Sequence, residues 1–134
     1  MAEASPWIAI VDDDPAVLKA LSRLLRSRAF RARTYGSGEE FLAALPAGLP
    51  DCLIVDLQMP EMNGLELQQH LASNGIKIPT ILITAHADVA LRDQAGLVAS
   101  LRKPLQAEAL FDAIDRAVGV SDHRKTDGIS RPRG

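Results

Sequence analysis

The chain has 134 residues, 47% of them apolar and 24% charged, with a formal charge of −2. That length suits one domain whose core needs no disulfide or metal staple, and that charge argues against a general electrostatic grip on nucleic acid. The single cysteine, Cys52, excludes an intrachain disulfide, and no stretch reaches the roughly 20 consecutive apolar residues of a membrane span.

Residues 1–6 form an N-terminal extension without the basic start and apolar run of a signal peptide, so a cytoplasmic protein is expected. Trp7 to Val11 is apolar at every position, which predicts a parallel strand covered on both faces. Asp12, Asp13 and Asp14 follow; Asp14 before Pro15 fits a helix N-cap with proline in the first turn, which leaves Asp12 and Asp13 without a local task. Val17, Leu18, Leu21, Leu24 and Leu25 recur at helical spacing up to Ser27. Phe30 to Tyr35, with charges at Arg31 and Arg33, reads as a poorer strand at the sheet edge. Ser37 and Glu40 make a capping box for a short helix that stops before Pro46.

Leu53, Ile54 and Val55 then form a central strand that delivers Asp56 to the point where turn residues begin. Cys52 inside that run is expected to be a small buried hydrophobe. After Gly64 a helix carrying Leu67 and Leu71 stops at Asn74 and Gly75. Pro79 to Thr84 is again a doubly buried strand, Asp88 to Ala95 allows only a short helix, and Val98 to Arg102 is the last strand before Lys103-Pro104. Leu110, Phe111, Ile114 and Val118 keep helical spacing to Gly119, and residues 120–134 read as a polar tail or linker. Five strands thus alternate with five helices, the signature of a doubly wound α/β domain with helices on both faces of a parallel sheet.

Asp12, Asp13, Asp56, Thr84 and Lys103 all stand at the C-terminal ends of strands, and parallel strands bring those ends to one edge, where ligands of open α/β sheets bind. Clustered carboxylates raise one another's pKa unless a cation is supplied, and an all-oxygen site with few protein ligands suits Mg²⁺. An aspartate beside such a metal and a lysine is equipped to accept a phosphoryl group, since that chemistry consists mainly of positioning and charge neutralisation. The Thr84 hydroxyl is placed to bond a phosphoryl oxygen, and the small Ala85 leaves room for the group.

VDDD at 11–14, IVDLQMPEMNG at 54–64, ILITA at 81–85 and RKP at 102–104 resemble, in order and spacing, the receiver domains of two-component response regulators over residues 7–119. The His86-Ala87-Asp88-Val89 continuation is most similar to the nitrogen-fixation (FixJ) type. The resemblance implies a flavodoxin-like strand order 2-1-3-4-5, Asp56 as phosphoacceptor, and Mg²⁺ held by Asp12, Asp13, Asp56 and the backbone carbonyl of Gln58. It implies further that Thr84 and Lys103 read the phosphoryl group and that Lys103-Pro104 is a cis peptide. The implied partners are a sensor histidine kinase or phosphotransfer protein, and a homodimer or effector on the face of the fourth helix, fifth strand and fifth helix, with no direct nucleic-acid or membrane binding. Two departures stand out: the fourth helix is shortened, and Ser100 occupies the place of the family's aromatic switch residue.

Two other readings compete. Haloacid-dehalogenase-type phosphohydrolases use a similar aspartate, hydroxyl and lysine, but need a second aspartate where this chain has Gln58. A receiver-like interaction module that is never phosphorylated would not need every site residue intact. His86, two residues past Thr84, is expected to lie exposed at the rim of the site.

Overall fold

The computed structural model describes residues 6–85 and 97–125, with side-chain surroundings through residue 119. In chain order the elements are β1 (Trp7–Val11), α1 (Pro15–Arg26), β2 (Arg31–Tyr35), α2 (Gly38–Ala44), a 3₁₀ turn (Leu45–Ala47), β3 (Cys52–Asp56), α3 (Gly64–Ser73), β4 (Thr80–Thr84), β5 (Leu97–Arg102) and α4 (Ala107–Lys125). The predicted fourth helix, Asp88 to Ala95, lies outside the described residues, so α4 denotes the last helix.

All strands pair parallel in the order β2-β1-β3-β4-β5. The unbroken apolar runs of β1, β3 and β4 follow from two separate cores. Ile8, Ile10, Cys52, Ile54, Ile81 and Ile83 point to the side covered by α1 and α4, while Ala9, Val11, Leu53, Val55 and Leu82 point to the side of α2 and α3. With period-2 alternation, a strand covered twice leaves no solvent-facing position along its middle, and the buried Thr80 that opens β4 meets this by donating its hydroxyl to the Ile78 carbonyl at 2.8 Å. Cys52 is fully buried, and burial pushes its thiol up to about 12, the environment of an inert hydrophobe. β2 is an edge strand as its charges suggest, and Arg26 donates to its Ala32 carbonyl at 3.2 Å, which blunts that edge.

Helix starts follow the sequence closely. Asp14 Oδ1 accepts from Ala16 N–H at 2.9 Å with Pro15 leading α1. Ser37 Oγ accepts from Glu40 N–H at 3.1 Å, but the Glu40 carboxylate turns back to Gly36 N–H rather than closing the box on Ser37. The complete capping box belongs instead to Asn63 and Glu66 at α3, with bonds of 2.8 and 2.9 Å.

α2 ends at Ala44, before Pro46 as expected, and the chain then tightens into the 3₁₀ turn, where a proline in the first turn gives up an N–H that would have no partner anyway. One end differs from expectation. The last helix does not end at Gly119 but runs on to Lys125, so the segment expected as a tail from residue 120 begins as helix. A single glycine costs a helix only about 1 kcal/mol, and no proline follows it within the helix to enforce a stop.

Ala29, just past α1, takes φ +70°, a left-handed conformation that disfavours any residue with a Cβ. Ala29→Gly is therefore expected to stabilise the fold by about 0.5 kcal/mol, the relief of strain less the extra chain entropy of glycine, read as a higher urea midpoint at unchanged slope.

Candidate functional site

Each site residue is set by the strand it ends. β1 leaves the sheet at Asp12, which is only 2% exposed, and its Oδ1 accepts from Asp14 N–H at 2.9 Å. The three adjacent carboxylates thereby separate: Asp14 caps α1, Asp12 turns into the crevice, and Asp13 lies exposed beside it. β3 ends on Asp56, 4% exposed, whose Oδ1 accepts from Gln58 N–H at 3.0 Å while Oδ2 meets Lys103 Nζ at 3.3 Å. Carboxylate oxygens of Asp12, Asp13 and Asp56 all lie within 4.8 Å of one another. β4 ends on the buried Thr84, and the Lys103 backbone N–H donates to its carbonyl at 2.9 Å, so hydroxyl and ammonium residues are tied side by side. Lys103-Pro104 is a cis peptide.

Among the described residues the electrostatics are unbalanced: three carboxylates face one ammonium. Burial, foremost, pushes the Asp12 carboxyl up to about 6, with the Asp56 and Asp13 charges adding to it and the Asp14 N–H and Lys103 opposing it. Asp12 Oδ2 is, among the described residues, the buried side-chain oxygen that no hydrogen bond reaches. A buried acceptor without a partner is costly, and a divalent cation between the three carboxylates would satisfy it; the donor set is all oxygen, as a hard cation requires. Asp12, Asp13 and Asp56 could therefore bind a metal ion.

Lys103 was expected to reach for a phosphoryl group, and here it rests on Asp56 itself. A second feature escaped the sequence reading. A Cβ added to Gly64 would stand 2.7 Å from the Asp56 carbonyl oxygen and 3.0 Å from Leu82 Cδ2, and the Gly64 N–H donates to Leu57 O at 3.2 Å. The start of α3 is thus pressed against the end of β3, and the asparagine-glycine pair that signalled a turn also carries this contact. The loop between them bends sharply, with Glu61 at φ +67°. Ser100 is exposed on β5 opposite Leu82. His86 lies outside the described residues.

A doubly wound parallel sheet with carboxylates, a hydroxyl and an ammonium converging at its C-terminal edge is the flavodoxin-like architecture in the form used for phosphoryl signalling. The chain belongs to the family of response regulator receiver domains, phosphoacceptor signalling modules of two-component systems, whose family model matches residues 8–115. It is 40% identical over 121 residues to the response regulator protein TmoT of Ectopseudomonas mendocina, covering 88% of this chain and 55% of that protein. It is 39% identical over 111 residues to the transcriptional regulatory protein FixJ of Rhizobium meliloti (strain 1021), covering 81% of this chain and 54% of FixJ. The crystal structure of FixJ-N superposes with a TM-score of 0.77 at 36% identity, covering 89% of this chain and 96% of that one. The chain spans about half the length of the curated relatives it matches. Among the described residues no helix is long and apolar enough to cross a membrane.

Proposed function

We propose that Asp56 is the phosphoacceptor of this receiver. The observation that carries the reading is its placement: a nearly buried carboxylate at the end of the central strand, in reach of two further carboxylates and of the Lys103 ammonium. Mg²⁺ would be held by Asp12, Asp13, Asp56 and the Gln58 carbonyl, and when bound it neutralises the carboxylates and the equatorial oxygens of the transferring group. An Asp56 oxygen attacks phosphorus in line, the bond from phosphorus to the donor's nitrogen or acyl oxygen breaks, and the electron pair leaves with the donor. Lys103 then exchanges Asp56 Oδ2 for a phosphoryl oxygen, a short move for an ammonium already 3.3 Å from the carboxylate. Thr84 donates its hydroxyl to another phosphoryl oxygen.

The donor in this reading is a sensor histidine kinase or phosphotransfer protein in the cytoplasm. Residues 7–119 are the receiver proper and 120–134 a polar tail or linker, and phosphorylation changes binding to a second copy or an effector; the chain itself grips neither nucleic acid nor membrane. Incubation with acetyl phosphate and Mg²⁺, followed by intact mass, tests the core of it: one added phosphoryl group is expected, and none after chelation with EDTA. A wild-type chain that stays unmodified overturns the reading.

The metal arrangement makes a separate prediction. A few carboxylates and a carbonyl leave a Mg²⁺ ion several waters, so affinity of about micromolar or weaker is expected. Asp13→Ala removes an exposed carboxylate that no helix cap or core contact needs, and should abolish measurable Mg²⁺ binding in calorimetry while leaving the melting temperature close to wild type.

A further inference from the structure

The loop from Leu57 to Asn63 carries Gln58, whose N–H fixes Asp56 Oδ1, and it turns under strain. Met62 N–H donates to Pro60 O at 2.7 Å across Glu61 at φ +67°, the rare and strained form of three-residue turn. A non-glycine residue keeps such a backbone only where its surroundings impose it. The backbone fixes both ends of the loop, since Leu57 N–H donates to Ile83 O at 2.7 Å and Gly64 N–H to Leu57 O at 3.2 Å. Between them the side chains of Gln58, Pro60 and Glu61 are exposed, so the middle is held by the buried Met59 and by Met62, which packs on the same core under α2 and α3. Met62 meets α2 in a close contact: its Sδ lies 2.8 Å from where a Cβ on Gly38 would stand, its Cγ 3.4 Å away, and Leu67 Cδ1 3.6 Å away. Gly38 is buried at the start of α2 and its φ is not positive, so a side chain is excluded there by the space Met62 fills and not by the backbone.

We infer that Met62 is a positioning residue for the site, acting through Gln58, and that Gly38 on α2 is its seat; this rests on the reading of Asp56 as phosphoacceptor and of the Gln58 carbonyl as a Mg²⁺ ligand. Methionine suits the task, because an unbranched thioether enters a slot too narrow for a branched side chain. With Met62 seated, Glu61 is held at positive φ and the chain from Gln58 to Pro60 has one path between its fixed ends. Once the thioether leaves its seat, Glu61 relaxes to negative φ. Leu57 and Gly64 stay tied, so the change falls on Gln58 to Pro60, and the Gln58 N–H and carbonyl turn with it. Mg²⁺ demands near-octahedral oxygen geometry, and groups that orient its ligands from behind typically matter about tenfold to a hundredfold in affinity.

Calorimetric Mg²⁺ binding by the unphosphorylated full chain is the direct readout, and labelling by acetyl phosphate the second. Met62→Ala, which empties the seat, and Gly38→Ala, which fills it, should each weaken Mg²⁺ binding by about tenfold and slow labelling in step. Met62→Leu conserves the volume and should keep both near wild type. Gly38→Ala placed in the Met62→Ala background should add no further loss, since Gly38 acts through the side chain already removed. Ile78→Val trims the same core at the opposite end of the strands, and should lower the urea midpoint while leaving Mg²⁺ affinity unchanged. Should Met62→Ala not fold, Gly38→Ala and Met62→Leu still decide the matter, because the residue displaced by the new methyl is the flexible end of Met62 and not backbone. Folded variants that bind Mg²⁺ and take label as wild type does overturn the inference alone, as does Ile78→Val weakening Mg²⁺ binding equally, which would trace the effect to lost stability. A wild-type chain that binds Mg²⁺ yet takes up no phosphoryl group overturns the phosphoacceptor reading, and the inference with it.

Discussion

Asp56→Asn is expected to take up no phosphoryl group from acetyl phosphate and Mg²⁺, where wild type gains one. The change is close to isosteric, and the amide oxygen still accepts the Gln58 N–H that fixes Oδ1, so the end of β3 keeps its shape. What disappears is the charged oxygen now facing Lys103, and with it both the nucleophile and a ligand of the proposed metal set. Because Asp12 and Asp13 stand within the same 4.8 Å cluster, intact mass alone does not identify the acceptor. Peptide mapping after borohydride reduction does, and is expected to place the group on Asp56. An Asp56→Asn protein labelled at the wild-type rate refutes the assignment, and label shifted to Asp12 or Asp13 would show that position along the sheet edge matters less than charge.

The parts of the fold that were legible in the sequence are those governed by local rules repeated along an element. Trp7 to Val11 and the Ile81 to Ile83 run of the strand ending at Thr84 could be read as doubly covered because every position in them is apolar, and the two cores confirm why. The converging site was legible for a related reason: the apolar runs of β1, β3 and β4 each give way to a polar residue at the C-terminal end, Asp12, Asp56 and Thr84, and parallel strands bring those ends to one sheet edge. What could not be read depends on approach between separate elements. The Lys103 ammonium settles on Asp56, 47 residues away, through a side-chain conformation that no spacing rule encodes. Gly119 has a helix-stop residue's identity, but the helix passes through it because Val118 and Ala117 before it still pack on the core. The Asn63–Glu66 box was legible and was passed over, since Asn63-Gly64 also reads as a turn.

Gly64→Ala is expected to damage both stability and phosphorylation, and the two losses share one cause. The added methyl would sit 2.7 Å from the Asp56 carbonyl oxygen, 3.1 Å from its carbon and 3.0 Å from Leu82 Cδ2. Two of those three atoms are backbone of the central strand, which is hydrogen-bonded to β1 and β4 on either side and has no room to retreat. Either α3 tilts away from the sheet, opening the contact of Leu67 and Leu71 with their core, or the end of β3 shifts and takes the Asp56 carboxylate with it. Overpacking of this kind costs about 1–3 kcal/mol, and a displacement near 1 Å at a reacting group costs up to about a hundredfold in rate. Gly75→Ala separates this from general loss of stability. Gly75 sits at φ +73° with nothing within 4 Å of an added Cβ, so alanine there strains the backbone by about 1 kcal/mol without touching the site. Urea unfolding should show both variants destabilised, while labelling by acetyl phosphate should be slowed about tenfold or more in Gly64→Ala and remain at the wild-type rate in Gly75→Ala. If Gly64→Ala is labelled as fast as Gly75→Ala, the close approach of α3 to β3 does not position the acceptor.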